Sequence, residues 1–227
     1  MHLFTAIVPP ATVLEAVVDV AADMVRNADA PVESSARAKV SPAKGSLFGR
    51  RRKSDGELDR PSPRPGTTEP QLDLVTPSRM QLPIANFGNV AAADVSRLRE
   101  AIRGVAATLT PPTLHLAGSA ALEFSGDLSV WARVHGDLET LRRIPPGITR
   151  IVEPLGFFVD RRQFRQMLSV ATITDATTVE VLQQVVVALD AFEGEPWTVE
   201  HVSLRKRRLD LDPPGSQEIA RLPLARG

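Results

Sequence analysis

Hydrophobic residues along this chain follow two spacings, the alternation typical of strands and the spacing typical of helices. Together they predict alternating strands and helices. Residues 2–9, HLFTAIVP, alternate in hydropathy and contain several β-branched and aromatic residues, which predicts a strand ended by Pro9-Pro10. Residues 13–27 then place apolar side chains at helical spacing, and Thr12 is positioned to cap that helix. The chain therefore opens with a predicted strand and a predicted helix.

The same spacing rules predict a regular order of elements after residue 77. Strands are predicted over residues 79–90, 111–124, 129–136, 164–173 and 196–210. Helices are predicted over residues 90–109, 137–144 and 177–194, with residues 148–159 irregular to extended. This order predicts an α+β protein with two pseudo-symmetric lobes, antiparallel sheets, outer helices and a central cleft.

Residues 28–77 differ from the rest of the chain in composition. They contain seven prolines, many serines and charged residues, and Phe48 as their one aromatic residue. Such a stretch buries too little apolar surface to offset its ordering entropy, which predicts a disordered insertion. Its run from residue 48 to 59 is basic and then acidic, so it is either a solvated loop or an RNA-contacting arm, and the insertion is also a possible site for a protein partner.

The insertion divides one domain into two parts of the sequence. Residues 1–27 supply the first strand and helix, and residues 78–212 supply the remainder. Residues 213–227, which follow the last predicted strand, are expected to form a flexible tail.

Composition excludes several classes of function. The chain of 227 residues has 27 basic and 27 acidic residues, so no global excess of positive charge favours non-specific nucleic-acid binding. It has no cysteine, which excludes disulfides, cysteine nucleophiles and thiolate metal sites. The first residues lack the pattern of a signal peptide or a membrane span, so we expect a cytoplasmic protein with no membrane partner.

One predicted strand carries two residues that are unusual for its interior. In MQLPIANFGNV, residues 80–90, Gln81 and Pro83 stand within an apolar segment. A proline removes a hydrogen-bond donor from a sheet, and a buried glutamine needs partners for its amide. These two residues mark the strand start or a site whose usual residues have been replaced.

Four segments of the chain resemble the 2H phosphoesterase superfamily, which includes bacterial 2'-5' RNA ligases and RNA 2',3'-cyclic phosphodiesterases. The segments are HLFTAIVPPATVLEAV, MQLPIANFGNV, FRQMLSVATI and the final helix and strand from residue 177 to 209. The resemblance spans nearly the whole chain outside residues 28–77. It implies a two-lobed 2'-5' RNA ligase-like fold, an RNA or phosphorylated small-molecule partner, and no metal or cofactor.

The family's chemistry uses two histidines, one from each half, as general base and general acid, while paired Thr or Ser hydroxyls hold phosphate oxygens. The matching positions here hold Gln81 and Met167 in place of the histidines, and Pro83 and Ser169 in place of the hydroxyl residues. Neither Gln nor Met transfers protons near pH 7. The resemblance therefore implies a domain whose catalytic pair has been replaced.

Several basic residues could still bind a phosphate. Arg79 and Arg165 each stand two residues before a replaced histidine, and Arg205 begins the basic run RKRR on the last predicted strand. That run is either part of a phosphate site or a charged sheet edge that prevents unwanted pairing. Together with Ser169, these three arginines are the predicted phosphate-binding residues.

Three functions remain open from the sequence. The first is a binding module for RNA ends, nucleotides or other phosphorylated ligands. The second is an active cyclic phosphodiesterase or ligase with an atypical acid–base pair, for which His115 in TLHL is the candidate, although it is otherwise an ordinary strand histidine. The third is a protein-interaction scaffold.

Overall fold

The computed structural model describes residues 1–29, 71–124, 127–162, 164–211 and 214–225. Within them the chain forms two antiparallel sheets and four α-helices, so the predicted α+β class is confirmed. Most of the predicted insertion, from residue 30 to 70, lies outside the described residues, and its disorder and partner contacts stay predictions. No helix within the described ranges is both long enough and apolar enough to cross a membrane.

The strands, in chain order, are β1 (His2–Ile7), β2 (Leu72–Leu74), β3 (Leu82–Asn89), β4 (Thr113–Phe124), β5 (Asp127–Gly136), β6 (Met167–Ile173), β7 (Trp197–Thr198), β8 (His201–Arg208) and β9 (Gly215–Pro223). The helices are α1 (Ala11–Asp29), α2 (Val95–Ala106), α3 (Leu138–Val152) and α4 (Val179–Asp190). Sheet A has the order β3-β1-β8-β9, and sheet B has the order β2-β6-β5-β4-β7.

Each sheet is covered on one face by two helices. Helices α2 and α3 pack against each other and against strands of sheet A, and α1 and α4 do the same on sheet B. Strand alternation sends one set of side chains toward these helices, among them Leu3, Leu82 and Leu204 of sheet A, which are fully buried in the hydrophobic core. The alternate side chains of each strand point to the opposite face of the sheet.

Helix α3 corrects the prediction for residues 137–159. The helix was predicted over residues 137–144, but it continues through Pro145-Pro146-Gly147, residues that ordinarily stop a helix, to Val152. Leu141, Ile144, Ile148 and Val152 recur at helical spacing and are fully buried. Their burial stabilises the helix by about 6–12 kcal/mol, which offsets a cost of about 3 kcal/mol for each proline.

The C-terminal segment is a second correction. Residues 213–227 were predicted to be a flexible tail, but β9 pairs with β8 from Arg208↔Gly215 to His201↔Pro223. The pattern was hard to recognise because Leu222 is the one fully buried side chain of β9. Since β8 lies between β1 and β9, its basic run is also not a sheet edge.

Smaller corrections concern element bounds. Strand β2, residues 72–74, lies inside the segment assigned to the insertion, and α1 continues past its start to Asp29. The last predicted strand, residues 196–210, divides into β7 of sheet B and β8 of sheet A. The single alternating pattern over residues 196–210 therefore corresponds to two strands, one in each sheet.

Candidate functional site

The two segments that the sequence resemblance assigns to the family motifs lie in different sheets. Gln81 directly precedes β3 of sheet A, and Pro83 lies on β3 opposite Ala6 of β1. Met167 begins β6 of sheet B, and Ser169 follows two residues later. The cavity at Gln81 and the cavity at Met167 share no lining residue among those described. Gln81 and Met167 therefore line two different cavities, and we name the surroundings of Gln81 the first region and those of Met167 the second region.

The first region is a small cavity of about 220 Å³ beside Gln81, which is also lined by Arg79, Arg207 and Ser216. The Ser216 hydroxyl donates a hydrogen bond to the Gln81 side-chain oxygen over 3.3 Å. The Arg207 guanidinium lies 5.9 Å from the centre of the Phe4 ring. The partner that a half-buried Gln81 needs is thus supplied by β9, the strand that was predicted to be a flexible tail.

A network of side chains extends from this cavity across sheet A. Arg205 is nine-tenths buried, and its Nε donates to the Ser216 hydroxyl over 3.0 Å. Its Nη1 lies 3.9 Å from a Glu218 carboxylate oxygen, and the fully buried Ser203 donates to the same oxygen over 2.8 Å. Burial lowers the pKa of Arg205, and the Glu218 carboxylate opposes that shift. Arg205, predicted to bind phosphate, is engaged by side chains of the protein itself.

His201 and Glu218 line a larger cavity, of about 830 Å³, on the other side of Arg205. Burial lowers the pKa of His201, the charge of Arg221 adds to this effect, and Glu218 and Glu200 oppose it. Burial raises the pKa of Glu218, but hydrogen bonds from Ser203 and Arg221 outweigh it and leave the pKa below its ordinary value. Glu218 therefore stays ionised near neutral pH while His201 is uncharged.

The second region is an open cavity of about 570 Å³ at Met167. Arg133 lies opposite Met167 in the pairing of β5 with β6, and both line this cavity together with Arg162, Arg165 and His135. Arg133 and His135 are exposed. Ser169 lies next along β6, opposite Trp131. Arg165 and Ser169 are thus brought close to Met167, whereas Arg79 and Arg205 are brought close to Gln81.

Two histidines that are distant in the sequence meet on sheet B. His115 of β4 lies opposite His135 of β5, and their rings stack with centroids 5.7 Å apart and an interplanar angle of 27°. His135 lines the cavity at Met167, so the pair lies at that cavity's border. Their separation of twenty residues in the sequence gave no local motif.

A β-bulge decides which residues of the β4–β5 hairpin meet. At its closed end Phe124 lies opposite Asp127, and that register would place His115 opposite Gly136. Gly118 adopts the left-handed conformation with φ of 71°, and the register shifts by one residue between Leu116 and Ser119. The shift brings His115 opposite His135.

The bulge is held by α4. The Asp190 carboxylate accepts hydrogen bonds from the Ser119 backbone N–H over 2.7 Å and from the Ser119 hydroxyl over 2.9 Å. These bonds lower the pKa of Asp190. The Val186 carbonyl oxygen lies 3.0 Å from the same hydroxyl oxygen, so the single hydroxyl proton is shared between this carbonyl and Asp190. The position of the histidine pair therefore depends on a contact between a strand and a helix.

Comparisons with known proteins place the fold but not a family. No family model matches the chain, and no curated protein matches it. TT0787 of Thermus thermophilus has 15% sequence identity and a TM-score of 0.59, over 99% of this chain and 98% of that one. E. coli LigT complexed with 3'-AMP has 14% identity and a TM-score of 0.61, over the same shares of the two chains.

A third structure, of a phosphoesterase, has 15% identity and a TM-score of 0.58, over 99% of both chains. At such low identity the likeness concerns the fold alone. It extends over 99% of this chain. This chain therefore has the LigT-like α+β fold, with two antiparallel sheets and four helices in its described part.

Proposed function

We propose that this chain is a 2H phosphoesterase-like domain that binds a phosphorylated ligand and has lost the family's acid–base pair. The LigT-like fold supports the proposal, together with the interpretation of the sequence that Gln81 and Met167 stand at the positions of the family's two histidines. A glutamine amide and a thioether cannot exchange protons near neutral pH. A domain with Gln81 and Met167 at these positions can bind a ligand but lacks the family's acid and base, so we propose binding without turnover.

The charges around the motif positions support a ligand with phosphate groups. Arg133 and Arg165 line the open cavity at Met167, and Arg79 and Arg207 line the smaller one at Gln81. Guanidinium groups match the oxygens of a phosphate in geometry and charge. E. coli LigT has been crystallised with 3'-AMP, phosphate, ATP and NADP+, and we extend this ligand class, a nucleotide or an RNA end, to the present chain.

The direct test is hydrolysis of a 2',3'-cyclic nucleotide without added metal, together with calorimetric binding of 3'-AMP. The wild-type protein is expected to bind 3'-AMP, more weakly as salt rises, and to show no turnover. The Gln81→His/Pro83→Thr/Met167→His variant, which restores the family's residue types beside Ser169, is expected to gain turnover.

The matched control is Gln81→Ala/Pro83→Thr/Met167→Ala, which changes the same positions without adding an imidazole. It is expected to remain inactive with unchanged circular dichroism. Turnover by the wild-type protein would contradict the loss of catalysis. Absence of 3'-AMP binding by the wild-type protein would contradict the binding function.

The stacked histidines favour a second candidate function, an active phosphodiesterase with an atypical acid–base pair. His135 lines the cavity at Met167, and His115 stacks on it at 5.7 Å. Imidazoles can accept and donate protons near neutral pH. This function requires metal-independent hydrolysis by the wild-type protein that His115→Ala and His135→Ala each abolish. Activity that survives both changes would exclude this pair.

A further inference from the structure

A separate groove of about 670 Å³ lies between α3 and the segment that leads into β6. Its apolar part is formed by Phe158, Phe164 and the two prolines of α3, and its basic part by Arg142, Arg161 and Arg162. None of the proposed motif positions lines it. Apart from Arg162, which also lines the cavity at Met167, the groove is lined by residues that the proposed function does not use.

Phe158 is exposed to an unusual degree for an aromatic residue. It retains 62% of its accessible surface, whereas Phe87 on the neighbouring strand retains 2%. Its ring lies against Gly88 of β3, where an added Cβ would stand 3.6 Å from the ring. Backbone hydrogen bonds of 2.8 Å in both directions between Asn86 and Asp160 fix the segment that carries it. A face of the ring is thus held open to solvent on a pinned backbone.

The charges of the groove leave a positive excess. Arg162 is paired with Asp160 over 2.9 Å, and its hydrogen bonds lower the pKa of Asp160 to about 2, so these two charges compensate each other. Arg142 donates over 3.1 Å to Gln166, which carries no charge. The Arg161 side chain has no ion-pair or hydrogen-bond partner among the described residues, and Glu153 is the other carboxylate that lines the groove.

The groove continues into the cavity at Met167. Arg162 lines both, and the second cavity adds Arg133 and Arg165. The combined surface, which we name the arginine track, runs from Phe158 to Met167. Five arginines line it, against the two carboxylates of Asp160 and Glu153. In a chain with equal numbers of acidic and basic residues, this excess is local.

We infer that the arginine track binds a single-stranded nucleic acid, with one base stacked on Phe158 and the following phosphates on Arg161 and Arg142, as the strand runs toward Met167. An exposed aromatic face beside a basic groove is the combination that binds single strands with little sequence preference. An acidic peptide would use the arginines but not the flat ring. The inference rests on the proposed function only where the strand enters the cavity at Met167.

The test measures binding of a fluorescein-labelled single-stranded twelve-nucleotide RNA to the full chain by anisotropy. Phe158→Ala is expected to weaken binding about tenfold, through loss of base stacking, while Phe158→Trp retains it. Arg161→Ala is expected to weaken binding severalfold and to reduce its salt dependence. Val187→Ala, an equally exposed apolar residue on α4, and Arg99→Ala on α2 serve as matched controls and are expected to have no effect.

Binding of 3'-AMP by the same variants separates this inference from the proposed function. If RNA binding requires Phe158 but the protein does not bind 3'-AMP, the inference about the arginine track is supported and the proposed phosphate site at Met167 is contradicted. RNA binding that is unchanged by Phe158→Ala and Arg161→Ala overturns the track, as does the absence of RNA binding. Equal affinity for a polyglutamate peptide, with the same dependence on Phe158, also overturns it in favour of an acidic protein partner.

Discussion

The regions around Gln81 and Met167, the two positions that the sequence resemblance matches to the family's histidines, differ in their surroundings. Around Gln81, which lines a cavity of about 220 Å³, the polar groups are linked by hydrogen bonds through Ser216 to Arg205, and Arg205 faces Glu218. Around Met167, the cavity is larger and open, and exposed Arg133 and His135 reach solvent. One region is engaged in internal hydrogen bonds, and the other retains cationic groups that a ligand can reach.

The contrast indicates that the two positions have different roles in this chain. A buried hydrogen-bonded network stabilises the fold only while every member has its partner. An exposed arginine contributes little to stability but can bind an anion. We therefore expect substitutions at the first region to affect mainly stability and those at the second to affect mainly ligand binding.

The largest effect on stability is expected from Arg205→Ala. This change removes a side chain that is 11% exposed and leaves Glu218 without its buried cationic partner, so the free energy of unfolding should fall by about 2–4 kcal/mol. Urea denaturation followed by circular dichroism measures it. Arg207→Ala, on the same strand but exposed, is the control, with an expected loss of less than about 1 kcal/mol. Equal losses would remove the distinction between the regions.

The next effect concerns ligand affinity. Arg133→Ala/Arg165→Ala should weaken 3'-AMP binding by about tenfold or more, because two guanidinium groups at the open cavity are lost. Arg79→Ala/Arg207→Ala, the equivalent change at the first region, should weaken it by no more than about threefold. Calorimetric titration of both variants decides the comparison. The reverse order would place the ligand at Gln81.

A smaller effect is expected at the bulge that pairs the histidines. Gly118→Ala forces a Cβ into a left-handed conformation and should cost about 1–2 kcal/mol. Gly104→Ala is the control with the opposite expected sign. Gly104 lies inside α2 with open space at its Cβ position, so this substitution should raise the free energy of unfolding by about 0.5–1 kcal/mol. Ring-current shifts in the His115 and His135 proton spectra should decrease in Gly118→Ala alone. Unchanged shifts would show that the pairing does not need the bulge.

The smallest effect is the acid dependence contributed by Asp190. Hydrogen bonds from Ser119 lower its pKa below the ordinary value of 3.8. Because the folded pKa lies below the unfolded one, this stabilisation is complete above about pH 4 and is lost as the pH falls through the folded pKa. Asp190→Asn should therefore lower the midpoint temperature of thermal unfolding at pH 7. The difference in midpoint temperature between the variant and the wild type should become smaller below pH 4. A pH-independent difference would exclude this contribution.

Much of the fold followed from local patterns, and the misses have physical causes. Strands β1, β3 and β5 and helices α2 and α4 showed the expected alternation or helical spacing. Helix α3 was shortened because local proline rules ignore the burial of Ile148 and Val152. Strand β9 was missed because it buries one large side chain fully, so its pairing with β8 stabilises it more than its own pattern indicates.

The sequence also indicated some residues of the candidate site and not others. The resemblance to the family assigned Gln81, Met167 and Ser169 to the candidate site, and proximity in sequence added Arg79 and Arg165; these assignments stay predictions. The prediction missed Ser216 and Glu218 because they lie on β9, and it treated the basic run on β8 as a possible edge. Neither the His115–His135 contact nor the exposure of Phe158 has a local signal, since each depends on how separate elements pair.

The sequence by itself determined the chemical types available: no thiols, four histidines, and no imidazole at the two motif positions. It also determined the periodicities that make strands and helices, because side-chain direction follows from backbone geometry alone. The tertiary structure decided which groups meet. It directed Arg205 into a buried network, left the arginine track open, and used the bulge at Gly118 to bring two distant histidines together. Such encounters depend on register and packing between elements far apart in the chain, which no local pattern encodes.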